Sequence, residues 1–413
     1  MHFLLESLLL ISIIIVASKA AGVLSNKIGQ PAVFGELLVG LLLGPSLLGL
    51  MGFFPSPEVA HAGEEFLELL IKDLAKIGVI FLMFLAGLET ELDEMKRVGV
   101  AAFNGALGGV FLPFFFGFGL SMAFGIEFWH SMFIGTILTA TSVSISAQTL
   151  MELGQLRSKE GTTILGAAVI DDVMGIIILS LVVALSTQAG GDAGGSMLAG
   201  IGIIVLKMVL FFAIAILLGA FLFERIASWL ENIPGSEILL AFGIVIALVF
   251  SWAAESLGGV ADITGAYIAG LMFAQTRFKH FFEGKFKTIA YGLFVPIFFV
   301  SIGLQANIWD LSGSLAFTAL IVVGAIVTKV IGSGLGCWLS KFKPMEAIRV
   351  GTGMISRGEV ALIIANIGLA RGVIDSGIFS IMVIMTLVTT LVTPILLRFL
   401  FPRQAEPVEA DAT

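Results

Sequence analysis

The feature that most constrains this chain is a series of apolar stretches, each about 18 to 28 residues long, that recur from one end to the other. A helix of about 20 apolar residues crosses a bilayer, whereas the strands of a membrane barrel alternate in blocks of about ten. Hydrophobic residues make up 58% of the 413 residues, and the mean hydropathy is +1.07. The pattern predicts an all-α polytopic membrane protein.

About thirteen transmembrane helices are predicted. Their spans are residues 3–24, 31–50, 71–89, 98–124, 129–152, 161–186, 198–223, 237–256, 259–275, 288–305, 312–339, 346–369 and 376–400. Lysine and arginine cluster in alternate connections, beginning with Lys27 and then Lys96 and Arg97. The positive-inside rule then places the N-terminus outside and residues 401–413 in a short cytoplasmic tail.

Charge and cysteine content exclude several classes of protein. The net charge of -8 argues against a nucleic-acid partner. Cys337 is the single cysteine, so an intrachain disulfide or a cysteine-histidine metal site is not expected. The sequence contains no evident pair of nucleophile and base, so we expect neither an enzyme nor a bound cofactor.

Three pairs of glycine motifs recur in the same order. They are residues 84–89 with 300–305 and Gly135-Thr136 with Gly351-Thr352, both offset by 216 residues, and Gly35 and Gly40 with Gly265 and Gly270. The members of each pair run in opposite directions across the predicted membrane. The pattern therefore predicts an inverted-topology repeat, typical of secondary transporters, with 1–186 and 237–400 as repeats and 198–223 as the connector helix.

Polar groups interrupt the apolar pattern at four places: Asp171-Asp172, Lys329, residues 139–146, and residues 356–359. An ionised side chain at the bilayer centre costs at least about 2.5 to 3.5 kcal/mol, so such groups usually serve a function. Asp171 lies twelve residues from Lys159, and Lys329 lies twelve residues from Lys341. Both are therefore about 18 Å deep, near mid-membrane.

Lys329 cannot reach the surface from this depth, so it needs an acidic partner. Neighbouring helical residues point about 100° apart, so one aspartate can face Lys329 while the other faces a cavity. Hydroxyls and freed carbonyls of residues 139–146 could complete an oxygen shell for a hard cation such as Na+. Four structural alternatives stay open: Asp171-Asp172 as part of a loop or as a structural hydrogen-bonding pair, Lys329 as a stabilising partner only, Arg357 with Glu359 as a supporting ion pair, and the hydroxyls as helix-packing groups.

Over residues 1–400 the chain resembles the monovalent cation/proton antiporter-2 family, and most closely the bacterial NapA-type Na+/H+ antiporters. The motifs that carry the resemblance are residues 29–36 (Gly-Gln-Pro-Ala-Val-Phe-Gly-Glu), Gly44-Pro45, residues 84–89, residues 139–146, Val169-Ile-Asp171-Asp172, Lys329 and Arg357-Gly-Glu359. Each motif is weak alone, but the combination is specific.

The resemblance implies an NhaA-like fold with two discontinuous crossing helices. It implies a dimerisation panel of spans 1–3 and 8–10 and a mobile core of spans 4–6 and 11–13, which slides in an elevator movement. It also implies a homodimer among the lipids of a bacterial inner membrane, with no nucleotide-binding domain in this chain.

The resemblance further assigns Asp172 as the main carrier of cation and protons, and pairs Asp171 with Lys329. Thr141 and Ser142 match the unwound crossing, and Na+ is expected at Asp172, Asp171 and Thr141. Exchange of two protons for one Na+ or Li+ is implied. The alternatives are a K+/H+ antiporter of the Kef type, whose members usually carry Gln-Asp at this pair, and a Na+-coupled organic-anion symporter. A cation channel is weaker still, because no selectivity filter is recognisable.

Overall fold

A computed structural model describes residues 2–45, 47–50, 60–90, 92–188, 194–233, 237–304, 315–370 and 372–401. Every regular element within these ranges is helical. The helices are α1 His2–Lys27, α2 Ala32–Leu43, α3 Ala60–Glu89, α4 Leu92–Ala123, α5 Phe128–Thr139, α6 Val143–Glu152, α7 Lys159–Gln188, α8 Gly194–Leu218, α9 Glu224–Glu231, α10 Ile238–Ala253, α11 Asp262–Phe273, α12 Lys279–Ile289, α13 Val295–Leu304, α14 Leu315–Leu339, α15 Pro344–Gly353, α16 Glu359–Ala370 and α17 Ser376–Leu400.

Nine helical runs in the described part of the chain are long and apolar enough to cross a membrane. Three shorter apolar helices accompany them: Ala32–Leu43, Asp262–Phe273 and Val360–Leu369. Large apolar side chains such as Leu206 and Trp252 are more than half exposed, as expected for surfaces that face lipid. The prediction of an all-helical, multi-pass membrane protein is confirmed, while the count of thirteen spans stays a prediction.

Two predicted spans are interrupted in the structure. Residues 140–142 separate α5 from α6, and residues 354–358 separate α15 from α16. Ser142 has extended backbone angles, with φ -99° and ψ 108°, so the helix cannot continue through it. The interruptions fall in spans 129–152 and 346–369, where the sequence concentrates hydroxyl and glycine residues.

Other helices are longer than predicted, because helical turns that contain charged residues are not detected by a search for apolar stretches. Helix α3, predicted to span residues 71–89, begins at Ala60, and its early turns contain the Lys72–Glu68 ion pair at 3.0 Å. The predicted span 288–305 corresponds to the end of a longer helical run. This run begins with α12 and continues through a π-helical turn, Ala290–Phe294, into α13. Gln305 and most of the predicted tail, residues 402–413, lie outside the described residues.

Two helix crossings depend on glycine. At one, Gly87 of α3 meets Gly270 of α11; at the other, Gly40 of α2 meets Gly303 of α13. A methyl group on any of these four residues would overlap the backbone of the facing helix. The predicted repeat relates Gly87 to Gly303 and Gly40 to Gly270, so the two crossings are equivalent under that repeat.

A third close contact lies between α4 and α14. Gly108 and Gly332 lie against each other's backbone, and each leaves no room for a methyl group on the other. Helix α4 also packs on α5 and α7. This packing brings Lys329 of α14, the carboxylates of α7 and the end of α5 into one buried region.

Candidate functional site

The two interrupted spans cross and bind each other through their non-helical segments. The Ser142 N–H donates to the Ser356 carbonyl at 2.7 Å, and the Ser356 hydroxyl donates to the Ser142 carbonyl at 2.6 Å. The Ser146 hydroxyl donates to the Gly353 carbonyl at 2.5 Å. The helix interruptions leave backbone groups without partners in their own helix. These groups are hydrogen-bonded by the opposite segment, as a membrane interior requires.

Arg357 lies at the centre of this crossing and is fully buried. Its guanidinium donates to the carbonyls of Leu138, at 2.8 Å, and Ile355, at 2.9 Å. It also donates to the Ala325 carbonyl of α14 at 3.2 Å. Leu138 lies in the last turn of α5 and Ile355 lies just after the end of α15, where helix C-termini carry partial negative charge. The arginine thus neutralises the field of the crossing.

Lys329 and Asp171 form a buried ion pair beside the crossing. Lys329 Nζ lies 3.1 Å from Asp171 Oδ1 and 3.3 Å from Oδ2, and it donates to the Thr139 carbonyl at 2.9 Å. Lys329 is 0% exposed and Asp171 is 2% exposed. The ammonium is therefore compensated by both a carboxylate and the end of α5, which lowers the cost of burying it.

Asp172 is directed to a different neighbour. The Thr264 hydroxyl, in the first turn of α11, donates to Asp172 Oδ2 at 3.2 Å. Asp171 therefore faces α14 while Asp172 faces α11, as the 100° step between neighbouring helical residues allows. The two carboxylates occupy different surroundings within one site.

The other predicted site residues lie close by in the fold. Thr141 and Ser142 are buried in the extended segment between α5 and α6. The Ser142 and Ser144 hydroxyl oxygens are 3.0 Å apart. Glu359 begins α16, and its side chain lies outside the described part of the structure. The crossing thus gathers hydroxyl and carboxylate oxygens, the ligand type that hard cations prefer.

Sequence reasoning missed Thr264 and a polar cavity. A lone threonine in an apolar span gives no signal, because its hydroxyl usually bonds within its own helix. The cavity, of about 370 Å³, is lined by residues from several helices, among them Glu36, Glu152, Lys287 and Arg398. Its acids and bases lie near the ends of predicted spans, where charged residues are common whether or not they line a cavity.

Three hydrogen bonds cross this cavity, and we call them the seam. Glu152 of α6 accepts from the Ala32 N–H at the start of α2, at 2.5 Å, and Tyr291 donates to Gln148 of α6 at 2.8 Å. Arg398 of α17 donates to the Gly29 carbonyl at 3.0 Å. Glu152 also accepts from Gln148 at 2.7 Å. The seam ties α6 and α17 to α2 and to the turn before α13.

Two solved structures share this fold. Both are of the sodium proton antiporter MjNhaP1 from Methanocaldococcus jannaschii, one determined at pH 8 and one an electron-microscopy map. The first gives a TM-score of 0.68 at 17% identity, covering 96% of this chain and 97% of that one. The second gives 0.71 at 16% identity, covering 98% and 99%. At this identity the likeness concerns the fold.

Sequence comparison extends along almost the whole chain. It is 39% identical over 401 residues to the Na(+)/H(+)-K(+) antiporter GerN of Bacillus cereus, covering 97% of this chain and 98% of GerN. It is 36% identical over 395 residues to the Na(+)/H(+) antiporter of Enterococcus hirae, covering 96% and 98%. These relatives are transporters rather than enzymes. The model of the transmembrane sodium/hydrogen exchanger family matches residues 10–402, and the chain therefore belongs to that family.

Proposed function

We propose that this chain exchanges Na+ or Li+ for protons across a bacterial plasma membrane, and that Asp172 carries both. The observation that supports this role is the division of labour between adjacent carboxylates. Asp171 is held by Lys329 at 3.1 Å, while Asp172 is turned toward α11. The first carboxylate is therefore committed to a fixed positive charge, and the second is the better placed to bind a mobile cation.

Cation and proton compete for the same oxygens in this proposal. Na+ binds Asp172, Asp171 and Thr141, with Ser142 nearby, because carboxylate and hydroxyl oxygens suit a hard cation. Binding draws Asp171 away from Lys329, and the lysine then releases a proton. Asp172 gives up the second proton. Two protons for one Na+ makes each cycle move net charge, so exchange is electrogenic.

Access alternates by movement of a core against a panel. The core comprises α4 to α7 and α14 to α17, and the panel includes α1 to α3 and α10 to α13, as expected from the resemblance. The equivalent glycine crossings of α3 with α11 and of α2 with α13 support a rigid panel, because they lie wholly within it. We further propose that the protein is a homodimer whose subunits contact each other through their panels. The N-terminus of each subunit lies outside and the C-terminus in the cytoplasm.

A second candidate is exchange of K+ for protons. It is favoured by the similarity to GerN, a Na(+)/H(+)-K(+) antiporter that is 39% identical to this chain along nearly the full length. The Asp171-Asp172 pair supports the first candidate, since the Kef-type relatives usually carry Gln-Asp there. Both functions use the same site, so the transported ion decides between them.

The test is proton movement in proteoliposomes followed with a pH dye. Na+, Li+ and K+ are added in turn, with the membrane potential either clamped or free. We expect Na+ and Li+ to drive proton flux that responds to the clamp, and Asp172→Asn to abolish it. Asp73→Asn, at an exposed position on α3, is the matched control and should retain wild-type flux.

Wild-type flux in the Asp172→Asn protein would disprove the carrier role. Flux that ignores the membrane potential would instead remove the charge-switching role of Lys329 while leaving exchange itself intact.

A further inference from the structure

Thr264 is the point at which a helix of the proposed panel contacts the proposed carrier. It lies in the first turn of α11 and is 2% exposed, while Asp172 of α7 is 7% exposed. Its hydroxyl donates to Asp172 Oδ2 at 3.2 Å. The contact joins two elements that must move relative to each other in an elevator cycle.

The Thr264 hydroxyl is directed differently from the hydroxyls of seven other buried threonines. Those seven donate to the carbonyl four residues earlier in the chain: Thr90, Thr136, Thr149, Thr163, Thr328, Thr389 and Thr393. Thr264 is only the third residue of α11, so the carbonyl four residues earlier lies outside the helix. Its hydroxyl is therefore available to α7.

The predicted repeat has no second copy of this hydroxyl. Thr264 precedes Gly265 in α11, and the equivalent position before Gly35 in α2 is Phe34. A phenyl ring can neither donate to a carboxylate nor accept a cation through oxygen. Of the two repeat-related helices α2 and α11, α11 is the one that carries a hydroxyl at this position.

We infer that Thr264 is a cation ligand supplied by the panel, so that the affinity of the site for Na+ depends on where α7 stands relative to α11. This inference rests on the proposed function of Asp172. A hydroxyl has one hydrogen to donate and two lone pairs to accept. In the cation-free site it donates to Asp172; when Na+ arrives it rotates, and its oxygen faces the cation.

Movement of α7 along α11 removes this ligand. Oxygen ligands bind hard cations at about 2.3 to 2.6 Å, so a displacement of a few ångströms breaks the contact completely. Asp171, Asp172 and Thr141 lie on the core and travel together, whereas Thr264 stays with the panel. The site therefore holds Na+ more tightly in the conformation seen here than in one where α7 has left α11.

The experiment compares Thr264→Val, Thr264→Ser and Thr393→Val in the proteoliposome assay. Valine keeps the shape of threonine and removes the hydroxyl, serine restores the hydroxyl, and Thr393 bonds within α17 and controls for a buried threonine away from the carboxylates. We expect Thr264→Val to raise the KM for Na+ about three- to tenfold, the range that one hydrogen bond represents. The maximum rate should change less than twofold.

Thr264→Ser and Thr393→Val should keep the wild-type KM. An unchanged or lower KM in Thr264→Val, or a loss confined to the maximum rate, would overturn the inference. If the valine protein does not fold, Thr264→Ala carries the same expectation. Asp172→Asn is run in parallel. If Asp172→Asn is inactive and Thr264→Val keeps the wild-type KM, only the role of Thr264 as a ligand is disproved. If Asp172→Asn is active, the proposed function itself is disproved.

Discussion

Individual charges at the crossing are satisfied in two different ways. Arg357 donates to the backbone carbonyls of Leu138, Ile355 and Ala325, so its charge is spread over groups that do not titrate. Lys329 instead pairs with a carboxylate that can take up a proton. The arginine is therefore suited to a constant structural role, and the lysine to the change of charge that the proposed mechanism requires.

The Lys329 pair gives a stability prediction. Lys329→Met leaves Asp171 as an unpaired buried acid, and removing one partner of a buried pair typically costs about 3 to 5 kcal/mol. We expect a matching fall in the free energy of unfolding of the detergent-solubilised protein. The double variant Lys329→Met/Asp171→Asn should recover most of it, because no lone charge remains. Equal stability of the single and double variants would show that the pair is not coupled.

Single elements show how far the sequence could predict the fold. Apolar length located the helices, and counting twelve residues from Lys159 and from Lys341 placed Asp171 and Lys329 at one depth. Their contact at 3.1 Å agrees with that reasoning. The hydrophobic pattern alone could not place α12, because this helix is rich in charged residues that form ion pairs such as Lys287–Glu283 at 2.9 Å. Nor could it find Thr264, because the hydrogen bond from Thr264 of α11 to Asp172 of α7 depends on tertiary structure.

The glycine crossings give the prediction at the scale of helices. Gly270→Ala places a methyl group in the Phe84 carbonyl of α3, so the two helices must separate. We expect a loss of about 1 to 3 kcal/mol and a lower yield of monodisperse protein on size-exclusion chromatography. Gly99→Ala, on an exposed face of α4 with nothing near the added methyl, is the control. It should be neutral or gain about 0.5 to 1 kcal/mol; similar behaviour of both variants would contradict the crossing.

At the scale of the whole molecule, the fold and the family agree over nearly the entire chain, because the family match covers residues 10–402. The repeat inferred from the sequence stays a prediction, but the glycines Gly40, Gly87, Gly270 and Gly303 on which it partly rests do lie at close helix contacts. The sequence could not indicate the seam, since Glu152 and Ala32 are separated by 120 residues and meet only when two helix ends come together. Long-range polar contacts of this kind leave no periodic trace.

The single cysteine offers a measure of global stability. Cys337 is fully buried in α14, and its thiol lies 3.5 Å from the Ala101 carbonyl. A maleimide should therefore react only when the helices separate. Na+ at about one hundred times its Kd should stabilise the folded state by about 2.7 kcal/mol and slow labelling about a hundredfold. Choline should not, and neither should Na+ added to Asp172→Asn; labelling that ignores Na+ in the wild type would contradict binding to the folded protein.

The seam also bears on how fast such a protein can work. Its three hydrogen bonds join α6 and α17 to the proposed panel, so in the proposed elevator movement they must open together before the core can slide. At about 1 kcal/mol each, they add about 3 kcal/mol to the activation barrier, equivalent to roughly a hundredfold in turnover number. Under the proposed mechanism the seam would slow each transition, lengthen the dwell time of this conformation and give the carboxylates time to equilibrate with ions.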